Sequence, residues 1–73
     1  MKVYIKELID MHQLALNLTY AESSILYDIF IDCTNDFQEI DENTNDIYIN
    51  EKIFSEIYST IMFKFMTVLI NLK

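Results

Sequence analysis

Apolar residues recur at helical spacing in three stretches of the chain. In the first, Ile5, Leu8, Ile9, His12, Ala15 and Leu16 fall on one side of a 3.6-residue period. In the second, Ile25, Leu26, Ile29, Phe30 and Cys33 make one face, which Phe37 continues if the helix runs that far. Thr19, followed three residues later by Glu22, starts this helix as a capping box: hydroxyl and carboxylate satisfy backbone N–H groups that have no partner inside the helix. The third starts at Asn50 and turns Ile53, Phe54, Ile57, Tyr58, Ile61, Phe65, Leu69 and Leu72 inward.

Between the second and third stretches, Thr34 to Asp46 is rich in Asn and Asp and reads as a loop. After it, Asp46-Ile47-Tyr48-Ile49-Asn50 alternates polar and apolar with β-branched residues, the pattern of a short strand. Val3-Tyr4-Ile5-Lys6-Glu7 resembles Ile47-Tyr48-Ile49-Asn50-Glu51, and each precedes a helix. A two-stranded pairing of 3–5 with 47–49 is therefore expected. Together the pattern predicts a mainly α fold: one small, acidic, compact three-helix domain over residues 1–73, with a short two-stranded β element.

Composition sharpens this picture. Hydrophobic residues make up 52% of the 73 residues, which argues against disorder despite a net charge of −7. A core of this size rarely supplies more than roughly 3–5 kcal/mol, and small chains supplement it with disulfides, a metal or association. One cysteine, Cys33, excludes an internal disulfide, and one histidine, His12, leaves too few ligands for zinc. Association is the supplement that remains. Gly, Pro, Trp and Arg are absent, which points to an AT-rich gene of the sort found in low-GC bacteria, their phages and their plasmids. Without glycine, phosphate-cradling loops of the P-loop or dinucleotide kind are excluded.

The start, Met1-Lys2-Val3-Tyr4-Ile5-Lys6-Glu7, reaches a charge too soon for a signal peptide. The apolar stretch from Ile61 to Leu72 is interrupted by Lys64 and falls short of the ~18–20 residues that span a bilayer. With free Cys33, the expectation is a cytoplasmic protein that meets no membrane.

Charge is the strongest signal. From Glu7 to Glu51 there are eleven carboxylates and no Lys or Arg, while the five lysines (Lys2, Lys6, Lys52, Lys64, Lys73) sit towards the ends. Seven acids crowd into Asp28, Asp32, Asp36, Glu39, Asp41, Glu42 and Asp46. The first three are four apart, so on a helix they stack at roughly 6 Å steps, close to the spacing of nucleic-acid phosphates. Such like-charge pairs cost a few tenths of a kcal/mol each. The plain interpretation is a solvated face; the sharper one is a negative ridge that binds a basic groove.

Asp41-Glu42-Asn43-Thr44-Asn45-Asp46 opens like an EF-hand loop, but Asp46 stands where glycine is needed and Lys52 where a bidentate glutamate is needed. No metal site and no cofactor are expected. A second signal lies on the C-terminal helix, where Phe63, Met66 and Ile70 remain on another side with only Ser59 and Lys73 in line. This stripe is either core or a dimer or partner surface. His12 reads as a core or boundary histidine, Cys33 as an inert buried thiol, and the serines match no nucleophile motif, so no enzyme is expected. The five tyrosines read as amphipathic packing.

These features favour a small acidic interaction module, similar in general character to phage or mobile-element inhibitors such as anti-CRISPR proteins, although no motif carries a family match. Its expected partner is a host protein with a basic, nucleic-acid-handling surface. The alternative is a winged-helix or helix-turn-helix protein. Leu18-Thr19-Tyr20-Ala21-Glu22, Ile25-Leu26-Tyr27, Ile40-Asp41-Glu42-Asn43 and Ile47-Tyr48-Ile49 loosely resemble the N-terminal domain of plasmid replication initiators. That resemblance implies a recognition helix at Phe63 to Lys73, apolar and without arginine, and leaves no residue pairs for a wing; direct nucleic-acid binding is not expected. A structural homodimer on the C-terminal helix is the third expectation.

Overall fold

Strand, helix, helix, strand, strand, helix is the order of elements in the computed structural model, which describes residues 1–72. They are β1 (Lys2–Tyr4), α1 (Ile5–Ala15), α2 (Tyr20–Cys33), β2 (Glu39–Ile40), β3 (Ile47–Asn50) and α3 (Glu51–Asn71). The fold is mainly α, with three helices and a small antiparallel sheet.

The helix ends follow from local chemistry. α1 closes in a Schellman turn: Leu18 N–H donates to the Gln13 carbonyl at 3.0 Å and Asn17 N–H to the Leu14 carbonyl at 3.4 Å. Asn17 takes the left-handed conformation (φ 54°) that glycine usually occupies. In a chain without glycine, asparagine fills both such positions; the other is Asn45 (φ 61°). The capping box of α2 is present, with Glu22 N–H donating to Thr19 Oγ1 at 3.1 Å and Thr19 N–H to Glu22 Oε1 at 2.8 Å. α3 is capped by Asn50, whose Oδ1 accepts from Lys52 N–H at 2.8 Å.

α2 stops at Cys33, so the apolar face does not reach Phe37, which is 44% exposed. Fully buried Thr34 donates its hydroxyl to the Phe30 carbonyl at 2.6 Å, and Gln38 Nε2 donates to the Ile31 carbonyl at 2.9 Å. The Gln38 amide thereby takes the carbonyl that the next helical N–H would need.

The sheet has three strands, not two. β1 pairs with β3 in the antiparallel register Val3↔Ile49, close to the expected pairing, although Ile5 already belongs to α1. β2 adds to the other edge of β3, Glu39 opposite Tyr48 and Ile40 opposite Ile47. It arises inside the segment read as loop, where two residues show no alternation to detect.

Ile5, Leu8, Ile9, Leu26, Phe30, Ile49, Ile61 and Phe65 form the core. An aromatic cluster adjoins it: Phe30 stacks on Phe54, and His12 meets Phe30 edge-on and Tyr58 at a tilt. His12 Nδ1–H donates to the Leu8 carbonyl at 2.8 Å, and in the neutral ring Nε2 accepts from the Tyr58 hydroxyl at 2.5 Å. His12 is thus a half-buried boundary residue joining α1 to α3. Leu16 and Leu72, expected inward, are 49% and 66% exposed, because both lie at helix ends beyond the core.

α3 runs for 21 residues, about 31 Å at 1.5 Å per residue. The helix that carries the Ile61–Leu72 stretch is therefore, by length and composition alone, long and apolar enough to cross a bilayer. Ile61 and Phe65 on its inner side are fully buried against the core.

Candidate protein-contact face

The fold distributes the seven clustered acids over three kinds of environment. Asp28 and Asp32 are exposed on the outward side of α2, where Tyr20, Ser24 and Tyr27 are exposed with them. Asp36 lies past the helix end, in the turn that follows Cys33, so the expected helical row of three holds only for its first two members. Glu39 is exposed on β2 and Glu42 on the loop between β2 and β3.

Asp41 is not a solvated ridge residue. Its side chain is only 11% exposed and accepts hydrogen bonds from the Tyr4 hydroxyl at 2.7 Å, from Asn43 N–H at 2.8 Å and from Thr44 N–H at 3.3 Å. The Tyr4 hydrogen bond, then the Asn43 and Thr44 amides and the nearby Lys2 charge, hold its carboxyl below the usual carboxylate range. The same contact pushes the Tyr4 hydroxyl up to about 12. The β2–β3 connection is closed by Asp41 N–H donating to the Asp46 carbonyl at 2.9 Å and Asn45 N–H to the Asp41 carbonyl at 2.8 Å. Asp41 therefore pins the hairpin to β1. Of the EF-hand-like residues, Asp41 Oδ1 and Thr44 Oγ1 accept backbone N–H groups within this turn. Among the described residues, no group of three or more His, Cys, Asp or Glu side chains gathers to hold a metal.

Lysine is not wholly remote from the acids once the chain folds. Lys2 lies 3.7 Å from Asp41, over the Tyr48 ring at 4.6 Å, in an open depression also lined by Glu39 and Glu42. Lys6 shares a second depression with Tyr27 and half-buried Asp46. Lys2–Asp41 is the one ion pair among the described residues. Asp28, Asp32, Asp36, Glu39 and Glu42 remain as an acidic surface without such a pair.

Two exposed tyrosines depart from the packing role expected of them. Tyr20, 86% exposed, and Tyr27 flank an open groove of about 270 Å³ between α1 and α2, also lined by Lys6, Asp10, Gln13 and Ser23. Ser23 Oγ is the buried side-chain polar atom with no hydrogen-bond partner among the described residues. Packing leaves Tyr20 free and covers Tyr27 in part; their seven-residue spacing sets both on the flank of α2 that borders α1. Cys33 is half-buried rather than buried, with Lys64 Nζ 3.8 Å from its Sγ.

No family model, curated protein or solved structure matches the chain.

The helix that follows the turn after α1 is α2. The place a recognition helix would take thus falls on Tyr20–Cys33, not on Phe63 to Lys73, and the β2–β3 hairpin stands where no wing was expected. Phe63, Met66 and Ile70, for which core was one of the two expectations, lie on a side of α3 away from the core, 74%, 51% and 68% exposed.

Proposed function

We propose that this chain is a small acidic protein-interaction module, of the phage or mobile-element inhibitor class to which anti-CRISPR proteins belong. It covers a basic, nucleic-acid-binding surface of a host protein with the outward side of α2 and the β2–β3 hairpin. It works by contact in the cytoplasm, without catalysis, cofactor or membrane. The observation that carries this reading is the set of exposed carboxylates Asp28, Asp32, Asp36, Glu39 and Glu42 in a span with no lysine or arginine of its own from Glu7 to Glu51. Negative surfaces of this kind steer encounter with basic partners and reject nucleic acid. Exposed Tyr20 and Tyr27 offer the aromatic anchoring that charge alone lacks.

A helix-turn-helix module is the second reading, favoured by one observation: α1 and α2 are joined by the short turn Leu16–Thr19 and followed by a hairpin. In that arrangement α2 would meet the major groove, which sets Asp28 and Asp32 against phosphates. The same geometry suits a protein that takes the place of nucleic acid.

The test is capture from a lysate of the native host, with the wild-type chain and with the triple variant Asp28→Asn, Asp32→Asn, Asp36→Asn. Wild type should retain a nucleic-acid-binding protein in low salt and release it as ionic strength rises past about 0.15 M, where the Debye length falls to about 8 Å. The triple variant should fold as well or slightly better, since relieving the helical Asp28–Asp32 pair returns a few tenths of a kcal/mol, yet capture much less. Equal capture by the variant, or binding that is flat with salt, would sink the reading. Retention of a duplex oligonucleotide in place of a protein would establish the helix-turn-helix alternative.

A further inference from the structure

The surface of this chain is larger than a folded monomer of its mass should expose. At 8.7 kDa the scaling of monomer surface with mass gives roughly 4,700 Å². The chain exposes 5348 Å² and stretches 40 Å along its long axis. The excess, about 600 Å², approaches the share that one partner contributes to a standard interface.

Exposed apolar side chains contribute to it on α1, at Met11 and Leu14, and on α3. Along the outward side of α3, polar Lys52, Glu56 and Ser59 give way to Phe63, Met66 and Ile70, each at least half exposed, with Leu72 exposed beyond them. The one hydroxyl on this strip, Thr67 Oγ1, is already spent on the Phe63 carbonyl at 2.9 Å. Burial of the strip would leave no side-chain polar group on it unsatisfied. From Ile57 to Leu72 there is no carboxylate, and Lys64 is the one charge. Two copies carrying −7 each repel over the rest of their surfaces, but not here.

We infer that the C-terminal half of α3 pairs with the same segment of a second copy, antiparallel across a two-fold axis near Met66. The spacing is self-complementary: Phe63 and Ile70 lie three and four residues to either side of Met66, so Phe63 of one copy meets Ile70 of the other. Antiparallel pairing also keeps the two Lys64 ammonium groups apart. The strip adjoins α2, because Phe63 lines one depression with Ile29.

Light scattering on the wild-type chain at tens of micromolar should give twice 8.7 kDa. Phe63→Glu should give the monomer mass with unchanged helical circular dichroism. In a Cys33→Ser background, Met66→Cys should form a disulfide-linked pair under mild oxidation, whereas Leu14→Cys, 86% exposed on α1, should not. Four results would overturn the inference. They are a wild-type monomer over this range, a Phe63→Glu variant that stays dimeric, a dimer in which Met66→Cys links no better than Leu14→Cys, and a monomer that co-sediments with phosphatidylcholine vesicles. The last would assign α3 to a lipid surface.

Discussion

The outward face of α2 with its hairpin and the C-terminal half of α3 are both exposed, yet they are built on opposite terms. The first is polar and locally tethered: a capping box at Thr19, the Thr34 and Gln38 bonds at the end of α2, and Asp41 gathering three hydrogen bonds into the hairpin. The second has no carboxylate from Ile57 to Leu72 and is ordered by the burial of its inner side, Ile61 and Phe65. Separation of this kind follows from composition. A chain that is 52% hydrophobic with a charge of −7 cannot bury all its apolar groups in eight core residues. Part of the surplus lies on α1 at Met11 and Leu14, and part on α3 at Phe63, Met66 and Ile70, where no carboxylate accompanies it.

The sharpest way to break the comparison is to make one substitution on each side of the same helix. Phe65→Ala removes a ring that is 0% exposed and should cost about 3–5 kcal/mol. That equals what a core of this size supplies, roughly 3–5 kcal/mol, so the variant should be largely unfolded by circular dichroism at 25 °C. Phe63→Ala, two residues away and 74% exposed, should stay within about 0.5 kcal/mol of wild type in denaturant titrations. The titrations belong at high dilution, because association adds apparent stability that depends on concentration. If Phe63→Ala costs as much as Phe65→Ala under those conditions, the two sides of α3 are not distinct.

These two phenylalanines also show how far the sequence was legible. Period 3.6 places Phe65 inward and Phe63 outward, and the spacing of Ile53 to Leu69 defines α3 before any coordinates. Thr19 and Glu22 announce the start of α2 because a capping box is a local, spaced motif. What did not show is non-local or too short for a period. β2 is two residues and forms because β3 offers its second edge. The end of α2 depends on Gln38 reaching back seven residues to Ile31. Asp41 looked like its acidic neighbours, and only the pairing of β1 with β3 brings Tyr4 and Lys2, 37 and 39 positions away, onto its carboxylate. Of the acidic site, then, the sequence showed the sign and the span. Which acids face outward was decided by contacts across the sheet.

A smaller effect tests the tethered side alone. Thr19→Ala removes the hydroxyl that accepts from Glu22 N–H and breaks the reciprocal box, which should cost about 1 kcal/mol. The loss should appear as a lower melting temperature and as faster amide exchange at Tyr20 to Ser23, with α3 amides unchanged relative to global unfolding. Equal acceleration along α3 would mean that the two regions open as one unit.

The finest distinction between the regions is their response to pH, since the C-terminal half of α3 has no acid to titrate and the hairpin is pinned by one. Asp41 is held below the usual carboxylate value of 3.8, chiefly by the Tyr4 hydroxyl. The folded state binds its proton less tightly than the unfolded chain does. Its stabilisation is therefore complete above 3.8 and is lost as pH falls from there through the lower folded value. Tyr4 behaves in the opposite sense: its contribution is complete below the ordinary 10.0 and is lost as pH rises from there through about 12. Tyr4→Phe should raise the Asp41 midpoint, read by carboxyl carbon resonance, and reduce the acid-side loss of hairpin order. Asp41→Asn should bring the Tyr4 midpoint down from about 12 towards 10.0. An Asp41 midpoint that does not move in Tyr4→Phe would show that the hairpin is held by its own turn amides, and that the acidic face can shift independently of β1.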